Sequence, residues 1–172
     1  MDYNLRMTEA EIRLLLRVTA RISFVFFMGA FAGNALLTLW PADLSRKIAE
    51  KQRDFLAGLA ISHTAHLGGI LALLMTLGWA HASKSTLYGG GLVFLLLYGL
   101  VLSTFVRLPF IGSPGFQTFS YWAIWMVFAA GFIPRIDRGG LIYTILGIAA
   151  IAAPALRIAA YTRKDRRKAV AV

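Results

Sequence analysis

The charged residues of this 172-residue chain are confined to its two ends and to short segments between long uncharged stretches. Five stretches without any charged side chain contain 115 of the 172 residues. They are 22–40, 55–83, 85–106, 108–134 and 139–156, with lengths of 19, 29, 22, 27 and 18 residues. A bilayer core of about 30 Å requires about 20 apolar residues of helix, so each stretch can cross a membrane once and none can comfortably cross twice.

This pattern predicts an all-α fold, a polytopic membrane helix bundle of five transmembrane helices with short loops. We expect one membrane domain over residues 1–172, with spans at about 22–40, 55–80, 87–106, 114–134 and 139–160. An N-terminal amphipathic helix is expected from about residue 8, because Thr8 and Glu11 form a capping-box pattern. Pro154 lies inside the fifth predicted span, where it should kink the helix and leave a carbonyl for a neighbouring helix or water to satisfy.

Composition excludes several classes of protein. Charged residues make up 15% of the chain, whereas a soluble domain carries about a quarter, which argues against a soluble enzyme. The chain has no cysteine, so it offers no ligand for an iron–sulfur cluster or thiolate zinc site, no thiol catalysis and no disulfide framework. The net charge of +10 suits loops beside anionic lipid headgroups, so we expect membrane lipids and not nucleic acid as partners.

The distribution of basic residues predicts an orientation. Five spans would place the termini on opposite sides, with seven Lys and Arg on the N-terminal side and eleven, Arg157 among them, on the other. The positive-inside rule therefore favours a cytoplasmic C-terminus and a cytoplasmic first loop. Aromatic residues near the predicted span ends are expected to act as interfacial anchors. These residues are Trp40, Trp79, Trp122, Tyr88 and Tyr121.

His63 and His66 are the strongest functional pointer in the chain. No predicted span carries Asp, Glu, Lys or Arg well inside it, which argues against a proton-coupled transporter, an ion pump or a carboxylate-bridged metal site. On one helix the two histidines are separated by about 60° around the axis and about 4.5 Å along it. They can therefore line one pocket, but they cannot occupy opposite axial positions of one haem iron.

The surroundings of the histidines leave alternatives open. A strip of small residues runs beside His66, and it would admit either a neighbouring helix or a flat macrocycle. The strip consists of Gly58, Ser62, Ala65 and Gly69. The histidines themselves could be ligands, or could simply bond to hydroxyls and carbonyls. Gln117 could face them across the bundle or occupy the headgroup region at a helix start, and we expect His81 at the interface.

The middle of the chain resembles the bacterial ferric-reductase-like transmembrane domain. Gln52-Arg53 precedes a helix that reads Gly-Leu-Ala-Ile-Ser-His-Thr-Ala-His-Leu over 58–67, similar to the family's small-apolar-Ser-His-x-x-His helix. Residues 91–105 and the aromatic segment 121–128 resemble the two helices that follow. The similarity covers roughly residues 51–134. It implies a bacterial inner-membrane protein that holds haem b and passes electrons across the membrane.

The chain departs from this family at one position. The family's aromatic helix opens with a Leu-His pair whose histidine ligates haem, and the matching residues here are Phe116-Gln117. The candidate cofactor-binding residues are His66, His63, Gly69 and Gln117, with His66 as the possible haem iron ligand. Because an amide is a poor iron ligand, haem could be absent, ligated on one side only, or completed by a partner chain.

Two functions remain open on the sequence. One is electron transfer through haem b. The other is a non-catalytic accessory or structural subunit of a larger membrane complex, without a cofactor. With either function we expect the chain to associate with another membrane protein subunit or to form an oligomer. If the haem has been lost, the inherited pocket could hold lipid, a quinone or nothing. A quinone- or lipid-modifying enzyme is less favoured, because such chemistry usually recruits a carboxylate or a metal.

Overall fold

The computed structural model describes residues 7–79, 84–106 and 108–170, without the side chains of 84–87 and 165–170. His81 lies outside the described residues. The described residues form α1 (Glu9–Leu39), α2 (Asp43–Glu50), α3 (Gln52–Leu77), α4 (Lys84–Leu102), α5 (Pro114–Phe132) and α6 (Leu141–Val170). A 3-10 turn, Ile133–Arg135, follows α5. The prediction of an all-α helical bundle is confirmed.

Four of the helices are long and apolar enough to cross a bilayer. The segments concerned are Glu9–Leu39, Gln52–Leu77, Pro114–Arg135 and Leu141–Lys164. A fifth apolar helix, Tyr88–Leu102, is shorter. Large apolar side chains cover the outside of the bundle, and Ile61 and Leu95 are both 73% exposed. Hydrocarbon tails are the solvent that such a surface suits, so the protein is embedded in a membrane.

The N-terminal arm and the first uncharged stretch form one continuous helix, α1. Thr8 caps it, because its hydroxyl accepts a hydrogen bond from the Glu11 N–H at 3.3 Å. The Glu11 carboxylate accepts in return from the Thr8 N–H at 2.7 Å, so the predicted capping box is present. At its other end α1 passes into α2, which turns the chain back so that α3 runs antiparallel to α1.

A reciprocal contact fixes the register of α1 against α3. A methyl group added to Gly29 would lie 2.6 Å from the Phe55 ring, and one added to Gly58 would lie 2.5 Å from the Phe26 ring. Each helix therefore receives a phenyl ring from the other in a notch that only glycine leaves open. Interhelical packing in a membrane depends on such close approach, since burial from water does not drive it.

Aromatic side chains dominate the core between α1 and α5. The Phe24 ring lies 4.8 Å from Phe132 and 5.4 Å from Phe128, centroid to centroid. Tyr121 belongs to the same core and is only 6% exposed, so the prediction of an interfacial anchor is wrong for this residue. The reason is that α5 presents Tyr121 to α1 and α3, where the Gln52 amide bonds to its hydroxyl.

Pro154 lies within α6, and the Ala150 carbonyl that it leaves without a helical hydrogen bond accepts one from α5 instead. A proline at position 154 removes the N–H that would bond to the Ala150 carbonyl. The indole Nε1 of Trp125 donates to that carbonyl at 2.9 Å. The predicted use of a neighbouring helix is therefore confirmed, and the bond joins α5 to α6 near the middle of the bundle.

Candidate functional site

A cavity of about 400 Å³ lies between α1, α3, α5 and the start of α6, and we call it the histidine cavity. Both His63 and His66 line it. Its other walls include Arg17 and Ala20 of α1, Val127, Phe128 and Phe132 of α5, and Arg135 and Tyr143 beyond α5. The volume is within the range of small-molecule sites, and the combination of aromatic walls with a few polar groups is typical of them.

The imidazole of His66 is held by a threonine of α1. Its Nδ1 lies 3.0 Å from the Thr19 hydroxyl oxygen, which in turn donates its hydrogen to the Leu15 carbonyl at 2.8 Å. A hydroxyl carries only one hydrogen, so when that hydrogen goes to the carbonyl, the Thr19 oxygen accepts from His66 and the imidazole hydrogen is assigned to Nδ1. In this tautomer Nε2 of His66 has the free lone pair. Histidines that ligate metals are commonly oriented by such a second bond.

His63 lies beside His66 but has different partners. The two imidazole rings are nearly parallel, with centroids 5.4 Å apart and an interplanar angle of 14°. Phe94 covers His63 with its centroid 4.5 Å away, and Nδ1 of His63 is buried without a hydrogen-bond partner among the described residues. A buried acceptor without a partner costs less than a buried N–H without one, which favours the tautomer of His63 with its hydrogen on Nε2. The two histidines then carry their hydrogens on different ring nitrogens.

Arginines surround the outer end of the histidine cavity, and we call them the arginine cluster. Arg17 and Arg135 also line an adjoining cavity of about 550 Å³, together with Arg21 and Arg138. The Arg21 guanidinium lies 4.8 Å from the centre of the Tyr143 ring, and Arg135 donates to the Gly131 carbonyl. No described carboxylate lines either cavity. This end of the site is therefore suited to an anionic group.

Three of the four small residues in the strip on α3 pack against α1, and the fourth, Ala65, is exposed. The Ser23 hydroxyl donates to Ser62 at 2.9 Å, and a methyl group on Gly69 would lie 2.9 Å from the Leu16 side chain. Together with the Phe26 contact at Gly58, these neighbours leave no room there for a flat macrocycle. Of the two occupants that the sequence left open, the structure places a helix on the strip, and Gly69 contacts α1 instead of lining the histidine cavity.

Gln117 is not brought together with the histidines. It lines a different cavity, of about 230 Å³, whose walls include Gln52, Arg53 and Tyr121. Gln52 begins α3, and His66 lies 14 residues further along the same helix, about 21 Å away. The position that resembles the family's second haem ligand therefore lies at the other end of the bundle from His66.

The sequence alone did not identify Thr19, Arg17 or Arg135 as parts of the site. All three lie outside the five uncharged stretches or beside their ends, where basic residues usually belong to solvated flanks. A signal was present, because Thr19 stands between Arg17 and Arg21 on a helix whose other face is apolar. That signal can be interpreted only when the register of α1 against α3 is known. The sequence of a single helix does not give this register.

The chemistry of this arrangement is limited by its donor set. The described residues contain no group of three or more His, Cys, Asp or Glu side chains that could hold a metal ion by themselves. One imidazole nitrogen with a free lone pair can serve as a single axial ligand of haem iron. The aromatic walls fit the faces of a macrocycle, and the arginine cluster fits its carboxylates. The residues present therefore fit haem with one axial ligand from this chain, and not with two.

The chain was compared with protein families, curated proteins and solved structures. No family model, no curated protein and no solved structure matches the chain.

Proposed function

We propose that this chain is a membrane electron-transfer protein that binds one haem b in the histidine cavity, where His66 would supply the ligand to the iron. The observation that carries the proposal is the hydrogen bond between Thr19 and Nδ1 of His66. This contact orients the imidazole, and with the ring hydrogen on Nδ1 it leaves Nε2 free, as haem ligation requires. When bound, haem supplies reversible one-electron chemistry, while the chain supplies binding, orientation and exclusion of water.

The arginine cluster favours haem over a quinone as the occupant. A haem b carries two propionate carboxylates, and guanidinium groups pair with carboxylates through parallel N–H bonds. Arg17 and Arg135 line the histidine cavity and its neighbour, so both are available to such groups. A quinone head has no carboxylate and gives these two arginines no partner.

A second axial ligand, if there is one, must come from elsewhere. Val127, Phe128, Gly131 and Phe132, all on α5, line the histidine cavity, and none of them can ligate iron. The proposal therefore includes a membrane-protein partner, either a subunit that completes the iron site or a redox partner. The resemblance to ferric-reductase-like domains over roughly residues 51–134 supports the class of function.

The proposal extends to location and orientation. We place the protein in a bacterial inner membrane with its C-terminus and first loop in the cytoplasm, as the basic residues favour. The arginine cluster then lies on the extracytoplasmic side. The histidine cavity then lies nearer that side than the cytoplasmic side.

An absorption spectrum tests the proposal. Protein purified from cells supplied with a haem precursor should show a Soret band, and His66→Ala should abolish it. His63→Ala is the matched control, because it removes the neighbouring imidazole of the same helix and should leave the band in place. A colourless wild-type preparation, or an unchanged band in His66→Ala, would contradict haem binding at this site.

The alternative function is a non-catalytic accessory subunit without a cofactor. It is favoured by a specific observation: α1 covers the strip beside His66, and Gln117 lines a separate cavity. The alternative predicts a colourless protein that co-purifies with a stoichiometric membrane partner after gentle extraction. A stable preparation with no partner would exclude it.

A further inference from the structure

A second cavity of about 400 Å³ lies at the opposite end of the bundle, and we call it the basic cavity. It is formed by the C-terminal part of α1, the first residue of α3 and the C-terminal part of α6. Its polar lining consists of Asn34, Thr38, Gln52, Arg157, Tyr161 and Lys164. No described carboxylate lines it.

Arg157 is the central residue of the basic cavity. The sequence placed it at the end of the fifth predicted span and counted it among the basic residues of the C-terminal side. In the structure it lies within α6, and its guanidinium packs against aromatic rings of the core. Its guanidinium carbon lies 4.4 Å from the centre of the Phe31 ring and 5.1 Å from that of Tyr121. Such stacking holds the guanidinium by its faces and leaves its N–H edge available. Neither an ion pair nor a hydrogen bond to Arg157 occurs among the described side chains.

A chain of amides fixes the wall beside Arg157. The Asn34 amide donates to the Gln52 oxygen at 3.1 Å, and the Gln52 amide donates to the Tyr121 hydroxyl at 2.9 Å. Gln52 donates also to the Ala30 carbonyl at 3.3 Å. Because Tyr121 is one of the two rings that hold Arg157, these bonds fix the position of the guanidinium before any ligand arrives. Preorganisation of this kind lowers the entropic cost of binding.

The charge of the basic cavity favours an anionic ligand. Arg157 is held against two rings with no described carboxylate beside it, and Lys164 adds a second positive charge at the rim. Arginine with a nearby lysine is the usual donor set for phosphate, and basic pockets between transmembrane helices bind phospholipid headgroups. We propose that the basic cavity binds a phosphate-bearing anion through Arg157 and Lys164. A phospholipid headgroup and a soluble phosphate share this chemistry.

Lipid binding to the purified full-length protein tests the proposal. Phosphatidylglycerol is compared with phosphatidylcholine by native mass spectrometry, and inorganic phosphate is tested by its effect on the thermal unfolding midpoint. We expect phosphatidylglycerol to be preferred, and Arg157→Gln to weaken its binding by about tenfold or more. Lys164→Gln, at an exposed rim position, should weaken it less and leave the fold intact.

Lys47→Gln is the matched control, since it removes an exposed charge on the same side of the bundle outside the basic cavity. Loss of the preference in Arg157→Gln and its reduction in Lys164→Gln, with Lys47→Gln unchanged, supports a lipid headgroup. An equivalent dependence seen with inorganic phosphate supports a soluble anion. The proposal is overturned if neither probe binds selectively, or if Lys164→Gln and Lys47→Gln behave alike.

Discussion

The two cavities at opposite ends of the bundle are alike in size and different in how they use charge. Each has a volume of about 400 Å³, and neither is lined by a described carboxylate. In the histidine cavity the inner polar groups are His63 and His66, and arginines lie at its outer end. In the basic cavity a charged group, Arg157, itself lies against the core.

The difference shows what each end needs in order to keep a polar group inside a membrane protein. A neutral imidazole requires only one good hydrogen bond, and Thr19 supplies it to His66. A guanidinium requires two ring faces, an ordered amide wall and, on our proposal, an anion. The first arrangement presents a lone pair to a metal, whereas the second presents N–H groups to phosphate. Substitutions that change ligand binding at one cavity and not at the other test this contrast between the histidine cavity and the basic cavity.

The largest effect is expected from Thr19→Val, which keeps the shape of the side chain and removes the bond to Nδ1 of His66. Loss of a bond that orients a metal ligand typically costs 10–100-fold in affinity, so haem affinity should fall by about that factor. Haem titration of the purified apoprotein measures it. Phosphatidylglycerol binding at the other end should not change.

Thr38→Val is the matched control for this experiment. Thr38 is on the same helix, and among the described residues its hydroxyl donates to the Asn34 carbonyl alone. Haem affinity should therefore stay as in the wild type. Equal losses in Thr19→Val and Thr38→Val would mean that the threonines support α1 in general and do not position His66.

An effect of comparable size, but shared by both ends, is expected from the bond between Trp125 and the Ala150 carbonyl. Trp125→Phe leaves a buried carbonyl without a donor, which costs about 1–3 kcal/mol in the free energy of unfolding. In a Pro154→Ala background residue 154 regains an N–H, so the same substitution should cost about 1 kcal/mol less. Chemical unfolding in mixed micelles of the two single variants and the double variant measures this coupling.

An absence of coupling between Trp125→Phe and Pro154→Ala would show that the indole contributes packing alone. If the bond is a shared support, both haem affinity and lipid preference should weaken together in Trp125→Phe. A loss confined to one cavity would instead assign the α5–α6 contact to that end of the bundle.

The smallest effects, of opposite sign, are expected from two buried serines. Ser23 and Ser120 are both 0% exposed, but Ser23 donates to Ser62 while the Ser120 hydroxyl has no partner within the described residues. Ser23→Ala should destabilise the protein by about 0.6 kcal/mol, the average for an interhelical bond in a membrane. Ser120→Ala should be neutral or slightly stabilising, because it removes an unsatisfied hydroxyl. The unfolding midpoints of both variants are measured side by side with the wild type. A shift of both midpoints in the same direction would contradict this contrast.

Features that depend on one segment could be predicted from the sequence. The uncharged stretches predicted the helices, the Thr8 and Glu11 pattern predicted a capping box, and Pro154 predicted a carbonyl that needs a partner. Features that depend on two segments could not. The contact of Thr19 with His66 requires the register of α1 against α3, and the placement of Arg157 requires the rotation of α6. Arg157 in particular follows an uncharged stretch directly, so its position in the sequence is that of any flanking cation.

The candidate site was predictable in part for the same reason. His63 and His66 stood out because they are ionisable groups in an uncharged stretch. Gln117 was chosen as a candidate because it stands where the resembling family has a haem-ligating histidine. In the structure it lies far from His63 and His66 along the bundle, so nothing in the geometry supports a shared cofactor site. Tyr121 was misjudged because its distance from a span end says nothing about which face of α5 it occupies.

The paired notches of α1 and α3 have a consequence for how this protein can evolve. The two helices share the spacing Phe-x-x-Gly, in Phe26-Phe27-Met28-Gly29 of α1 and Phe55-Leu56-Ala57-Gly58 of α3. Each phenyl ring therefore packs against the glycine of the other helix, with approximate two-fold symmetry. A slip of either helix would empty both notches at once. Gly58 lies eight residues before His66, about 12 Å along α3. The alignment of the imidazole with Thr19 is thus set at a distance, and the loops can vary in length and sequence without disturbing it.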